Sequence, residues 1–131
     1  MSNILFLDDE SYRHDIFDER SKGHNITHVY TAKDAISALK TTKFDYVCLD
    51  HDLGNMSFVE SDGIYETGYT VAKFIAYEMD HADLPIFVVH SWNIVGATNI
   101  KNLLQNVTDK IIMAPFCSWV PPQIIDKRRV I

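Results

Sequence analysis

Cysteine is scarce in this chain. Cys48 and Cys117 are the only two in 131 residues, and their separation matches no metal-ligand spacing. Neither a thiolate metal centre nor a disulfide framework is predicted, so a cytoplasmic, reducing setting is expected. Cys48 lies inside an apolar run and reads as a small core residue. Long hydrophobic runs are missing as well. None approaches the roughly 20 residues of a membrane-spanning helix. "NILFL" near the start is too short for a secretory signal core and is followed at once by acids. Positive charge is in deficit, with 12 Lys and Arg against 18 Asp and Glu, a formal net charge of −6. That balance argues against avid non-specific binding to nucleic acid, which needs a cationic surface. It leaves room for a small phosphate held through a metal ion. The one basic cluster, "DKRRV" near the C-terminus, reads as a solvated tail. No repeat or low-complexity tract interrupts the chain, so residues 1–131 are read as one domain.

What the chain has is a regular alternation. Five short apolar runs recur: "ILFL" (4–7), "ITHVY" (26–30), "YVCL" (46–49), "IFVV" (86–89) and "IIM" (111–113). Four are unbroken, as in strands buried on both faces of a parallel sheet. The second alternates, as an edge strand does. Helical stripes fall between them. Ala32, Ala35, Ile36 and Leu39 follow i, i+3, i+4, i+7 spacing. Thr31 is placed as their N-cap, in a capping box with Asp34. Val71, Phe74, Ile75 and Met79 form a second stripe, and Ala97, Ile100, Leu103 and Leu104 a third. "SYRHDIFDER" supplies a fourth helix with a weaker stripe. The order β-α-β-α-β-α-β-α-β predicts a three-layer α/β domain with right-handed crossovers. The closing "VPPQIIDKRRVI" reads either as a short helix opened by Pro121 or Pro122 or as an extended arm.

Polar residues follow three of the runs. Asp8, Asp9 and Glu10 come after the first, Asp50, His51 and Asp52 after the third, and His90, Ser91 and Asn93 after the fourth. In an open parallel sheet these are the carboxyl ends of strands, where ligands bind. Carboxylates crowded there repel one another, and a divalent cation relieves the repulsion. Oxygen-rich, partly hydrated sites favour Mg²⁺ or Mn²⁺. Asp8, Asp9 and Asp50 are the predicted metal ligands. Helix capping explains one of these acids but not the combined pattern. His51 and His90 are candidate proton carriers. His14 reads as a helix-surface residue, and His24, His28 and His81 as structural. In "HSWNIVGATN", Ser91 or Asn93 can cap the next helix, while the same helix start offers N–H groups to a phosphate. Gly96 permits close approach of backbone or ligand. Trp92 reads as packing before base stacking.

"FLDDE" followed by Asp50 after the third strand resembles the receiver domain of two-component response regulators. The resemblance implies a flavodoxin-like sheet ordered 2-1-3-4-5. It also implies Mg²⁺ on Asp8, Asp9 and Asp50, with Asp50 as phosphoryl acceptor. Three departures stand against ordinary phospho-signalling. Ala114 occupies the place of the receiver lysine, His90 that of the Thr or Ser, and "HDLGNMSFVESDG" is longer and lacks proline. "LDDE", "LDHDLG", Asp62-Gly63 and "VHSWNIVGATNI" look more like a receiver-like family proposed to process cyclic phosphates in phage, bacterial conflict or RNA-repair contexts. That likeness implies a metal-dependent phosphoesterase, with Asp50, His51 and His90 catalytic and Ser91, Asn93 and Gly96 on the phosphate. Asp52, where receivers place a backbone carbonyl on the metal, would support the ligands from behind. The expected partner is a small cyclic nucleotide or an RNA 2′,3′-cyclic phosphate terminus. A degenerate receiver that binds a protein partner, and a protein that sequesters a cyclic nucleotide uncleaved, are the competing functions.

Overall fold

The computed structural model describes residues 1–53 and 66–122. Its elements run β1 (Asn3–Leu7), α1 (Ser11–Arg20), β2 (Asn25–Val29), α2 (Ala32–Thr41), β3 (Tyr46–Leu49), α3 (Gly68–Glu78), β4 (Ile86–Val89), α4 (Ile94–Leu104) and β5 (Ile111–Met113). The strands form one parallel sheet in the order β2-β1-β3-β4-β5, the expected 2-1-3-4-5 arrangement. Among the described residues no helix is long and apolar enough to cross a membrane. Asp62-Gly63 and the "DKRRV" cluster lie outside the described residues, as does most of the closing segment; Pro121 and Pro122 are not helical.

The unbroken apolar runs follow from burial on both sheet faces. Side chains alternate across a strand, so Leu5, Leu7, Val47, Leu49, Phe87 and Val89 meet α2, α3 and α4 in the larger core. Ile4, Phe6, Cys48 and Val88 point the other way, where Phe17 of α1, Ala114, Phe116 and Trp119 cover them. Burial pushes the Cys48 thiol up, which leaves it an inert core group. β2 alternates because it is an edge strand, with only Val29 fully buried.

The caps are local chemistry. Thr31 Oγ1 accepts the Asp34 N–H at 3.1 Å, and the reciprocal capping box occurs at Thr67 and Thr70 instead. At the other end of α3, His81 Nε2 donates to the Ile75 carbonyl at 3.0 Å. His24 joins the two ends of the described chain. Its Nδ1 accepts the Ser2 N–H at 3.0 Å, and its Nε2 donates to the Pro122 carbonyl at 2.8 Å.

Two glycines set how closely α3 and α4 approach β3. A Cβ on Gly68 would stand 1.8 Å from the Asp50 carbonyl oxygen, which is backbone and cannot step aside. One on Gly96 would stand 2.4 Å from the His51 ring, a side chain that can turn. Gly→Ala in a helix ordinarily stabilises by up to ~1 kcal/mol. Here Gly68→Ala should instead destabilise by about 3 kcal/mol through overpacking, and Gly96→Ala by about 1 kcal/mol or less. Urea denaturation of the two variants checks the ranking, and equal stability would contradict it.

Candidate functional site

The sheet ladder continues one residue beyond three strands and carries the site with it. Asp8 N–H donates to the Val29 carbonyl, Asp50 N–H to that of Leu7, and His90 N–H to that of Leu49. Asp8, Asp50 and His90 therefore stand side by side at the carboxyl ends of β1, β3 and β4. All three are buried, and each can present a ligand atom within 4.8 Å of the others. Asp9 stands next to them, half-buried and close enough for its charge to act on Asp50.

The two central carboxyls respond to this crowding in opposite ways. Burial pushes both up. For Asp8, the His90 hydrogen bond at 3.0 Å, the Glu10 N–H at 2.9 Å and nearby charge win, and its pKa lies below the ordinary value. For Asp50, burial and the charges of Asp8 and Asp9 outweigh Arg13 and the His51 N–H, and its pKa rises to about 7. A metal-free site therefore holds a proton on Asp50 near neutrality. The fit to a divalent cation rests on this pattern: two buried carboxyls, a third beside them, and electrostatic repulsion that a cation would relieve.

The site also holds a cation, Arg13, that no sequence motif marks. Its Nη1 lies 3.3 Å from Asp8 Oδ2 and 3.7 Å from Asp50 Oδ2, with its guanidinium over the Phe116 ring at 5.5 Å. Its Nε donates to the Tyr12 hydroxyl at 3.3 Å. A cation thus stands over the acidic pair even though Ala114 leaves the lysine position apolar. The available signal was position: Arg13 sits in the first turns of the helix that follows Asp8 and Asp9.

His90 is sealed. Its Nε2 donates to Asp8 Oδ2, its ring stacks on Phe6 at 4.9 Å, and its buried Nδ1 has no hydrogen-bond partner among the described residues. Burial lowers its pKa, so the ring is neutral and orients Asp8. His51 is placed differently. Its Nδ1 donates to Asp52 Oδ1 at 2.7 Å, so in the neutral ring Nε2 carries the lone pair. Asp52 also accepts from Asn93 Nδ2 at 3.1 Å. Burial pushes Asp52 up, but these two bonds outweigh it and hold the carboxyl below its ordinary value.

The β4–α4 turn is internally bonded. Ser91 Oγ accepts the Asn93 N–H, and Asn93 Oδ1 accepts the Gly96 N–H, both at 3.0 Å. The close approach that Gly96 allows is made by the His51 ring. Trp92 is exposed and joins neither core cluster of the described residues.

The surface expectation for His14 is overturned. It is buried, stacked on Tyr30 at 4.0 Å and edge-on to Phe6. α1 has few apolar residues, so its inward face is completed by an imidazole with hydrogen-bond partners. Its Nε2 donates to the Asp8 carbonyl at 2.8 Å, its Nδ1 meets His28 Nδ1 at 2.6 Å, and His28 Nε2 donates to Asp18 at 2.8 Å. Burial, with His28 alongside, lowers the His14 pKa and so disfavours a charge on its ring.

Comparison with known proteins agrees with this geometry. A family model described as "Cyclic-phosphate processing Receiver domain" matches residues 3–106. No curated protein matches the chain. Among solved structures, the signal receiver domain of a LuxO repressor protein from Vibrio parahaemolyticus is similar at 18% identity, with a TM-score of 0.61 over 89% of this chain and 81% of that one. A CheY-like receiver domain from Methanospirillum hungatei gives 15% identity and a TM-score of 0.62 over 88% and 82%. The response regulator TrrA from Thermotoga maritima, in complex with Mg²⁺-BeF, gives 18% and 0.62 over 89% and 90%. At these identities the likeness shows the fold.

Proposed function

The chain belongs to the cyclic-phosphate processing receiver-domain family, and from its site we propose that it opens a cyclic phosphate by metal-assisted hydrolysis. The observation that carries this reading is the juxtaposition of a repelled acidic pair, Asp8 and Asp50, with the His51–Asp52 base dyad at one end of the sheet. Asp8, Asp9 and Asp50 would hold Mg²⁺ or Mn²⁺, and the Mg²⁺-BeF complex of the similar T. maritima receiver supports Mg²⁺. When bound, such an ion polarises the phosphate and offsets charge that develops on phosphorus. His51 Nε2 takes a proton from water as its oxygen bonds to phosphorus. One ring P–O bond breaks, the proton held on His51 passes directly or through water to the leaving oxygen, and a phosphomonoester with a free hydroxyl results. Arg13 neutralises the non-bridging oxygens, the work that Ala114 cannot do. Ser91 and the first turn of α4 face the same edge and hold the phosphate. Proton transfer falls to His51 because His90 is closed off from solvent.

A second reading has support in the same place. Asp50 stands where receivers accept a phosphoryl group, so a binding module switched at Asp50 fits the fold. Incubating the protein and Mn²⁺ with a 2′,3′-cyclic mononucleotide and with RNA bearing the same terminus separates the readings by ³¹P NMR. Conversion to a monoester, stopped by a chelator, is expected. Ligand recovered intact from a tight complex indicates sequestration, and phosphate on Asp50 from a small phosphodonor indicates the switch. No ring opening with either metal overturns the proposal.

A further inference from the structure

An open groove of about 720 Å³ runs between α3 and α4, away from the acidic pair. His51 stands at its head, Thr67 and Tyr69 line the α3 side, and Asn99, Asn102 and Asn106 line the α4 side. The three asparagines are exposed; Asn99 and Asn102 lie on α4 at i and i+3, and Asn106 stands in the turn just past its end. Asparagine is a weak helix former that competes with the helix for backbone bonds, so two on one face of α4 are poorly explained as mere solvated surface. Asn106 Nδ2 donates back to the Leu103 carbonyl at 3.1 Å. The carboxamides of Asn99 and Asn102 have no hydrogen-bond partner among the described residues.

The chemistry of the lining selects a ligand class. Apart from His51, the described lining carries no ionisable side chain other than the Tyr69 phenol. Carboxamides present a donor and an acceptor together, which matches the edge of a nucleobase. A tyrosine ring offers a stacking surface, and the volume suits a small-molecule site. The acidic pair and Arg13 lie outside this lining, on the sheet side of His51, which follows Asp50 in the chain, and the Lys73 ammonium stands 5.8 Å from the Tyr69 ring centroid. The complementary ligand has an anionic head and a neutral, planar, hydrogen-bonding body.

Resting on the reading of the acidic pair as a cyclic-phosphate site, we propose that the α3–α4 groove seats the nucleobase of the substrate, read by Asn99 and Asn102 and stacked on Tyr69. The base comes either from a free cyclic nucleotide or from the last residue of an RNA; the recognition chemistry is the same.

The test uses nucleosides, which carry no phosphate. The full chain is titrated with adenosine, guanosine, cytidine and uridine by NMR. Saturable shifts at the Asn99 and Asn102 side-chain amides and at Tyr69 are expected, with one base favoured tenfold or more. The double variant Asn99→Ala, Asn102→Ala should weaken that base by tenfold or more. Alanine is the better helix former, so its Tm should hold or rise, which separates lost recognition from unfolding. Lys22→Ala, distant on the α1 side, should change nothing. A cyclic mononucleotide and an oligonucleotide with the same terminus then compete for the bound nucleoside, and the stronger competitor identifies the source. No saturable shift with any nucleoside, unchanged affinity in the double variant, or displacement by neither competitor overturns the inference. Nucleoside binding without ring opening keeps the groove and removes the hydrolytic reading; ring opening without nucleoside binding does the reverse.

Discussion

Asp50→Asn should abolish cyclic-phosphate opening, by on the order of a thousandfold or more, and at the same time stabilise the metal-free protein above neutral pH. The two effects have one cause. Asp50 is buried beside Asp8, and its pKa rises from 3.8 to about 7. Between those values the native state holds a proton that the unfolded chain releases. The group's contribution to stability is fully present below about pH 4, falls as pH rises, and is lost above about 7. A shift of this size corresponds to on the order of 4 kcal/mol once the carboxyl ionises. Asparagine keeps the shape and removes the titration. Urea denaturation without metal should show wild-type stability declining from pH 5 to 8 and the variant flatter. Mn²⁺ should stabilise the wild type, with an affinity that rises with pH up to about 7 as the metal displaces the proton. The variant should show little metal stabilisation. Retained turnover, or parallel pH curves, would sink this account.

Arg13→Gln separates metal binding from phosphate chemistry. The guanidinium spans Asp8 and Asp50 at 3.3 and 3.7 Å, the place a bound cation would contest. Its removal should leave Mn²⁺ affinity unchanged or tighter, while turnover falls by roughly a hundredfold or more through loss of charge compensation. The metal-free variant should lose about 2–3 kcal/mol at pH 8, since a buried carboxylate loses its partner. It should lose less at pH 6, where Asp50 takes up a proton instead. Calorimetric titration with Mn²⁺ beside steady-state kinetics reads both. Parallel loss of metal affinity and turnover would assign Arg13 a structural part only.

Local patterning is enough to specify the layers and the edge at which the site lies. "ILFL", "YVCL" and "IFVV" lack alternation because both sheet faces are covered, and that periodicity is local information. Acids and histidines after these runs follow from strand direction, so Asp8, Asp50 and His90 could be brought together from sequence. Tertiary structure alone decided what each group does there. His90 closes on Asp8, 82 residues away, because β1, β3 and β4 are neighbours and Phe6 holds its ring. His51 and Asn93 meet on Asp52 because Gly68 and Gly96 let α3 and α4 approach β3 closely. Arg13 covers the acids, and His14 turns inward, because of how α1 is rotated against the sheet. A helix with so weak an apolar stripe leaves that rotation unspecified in sequence. It is set by the aromatic contacts of Phe6, Phe17 and Phe116, which exist only once distant segments have packed.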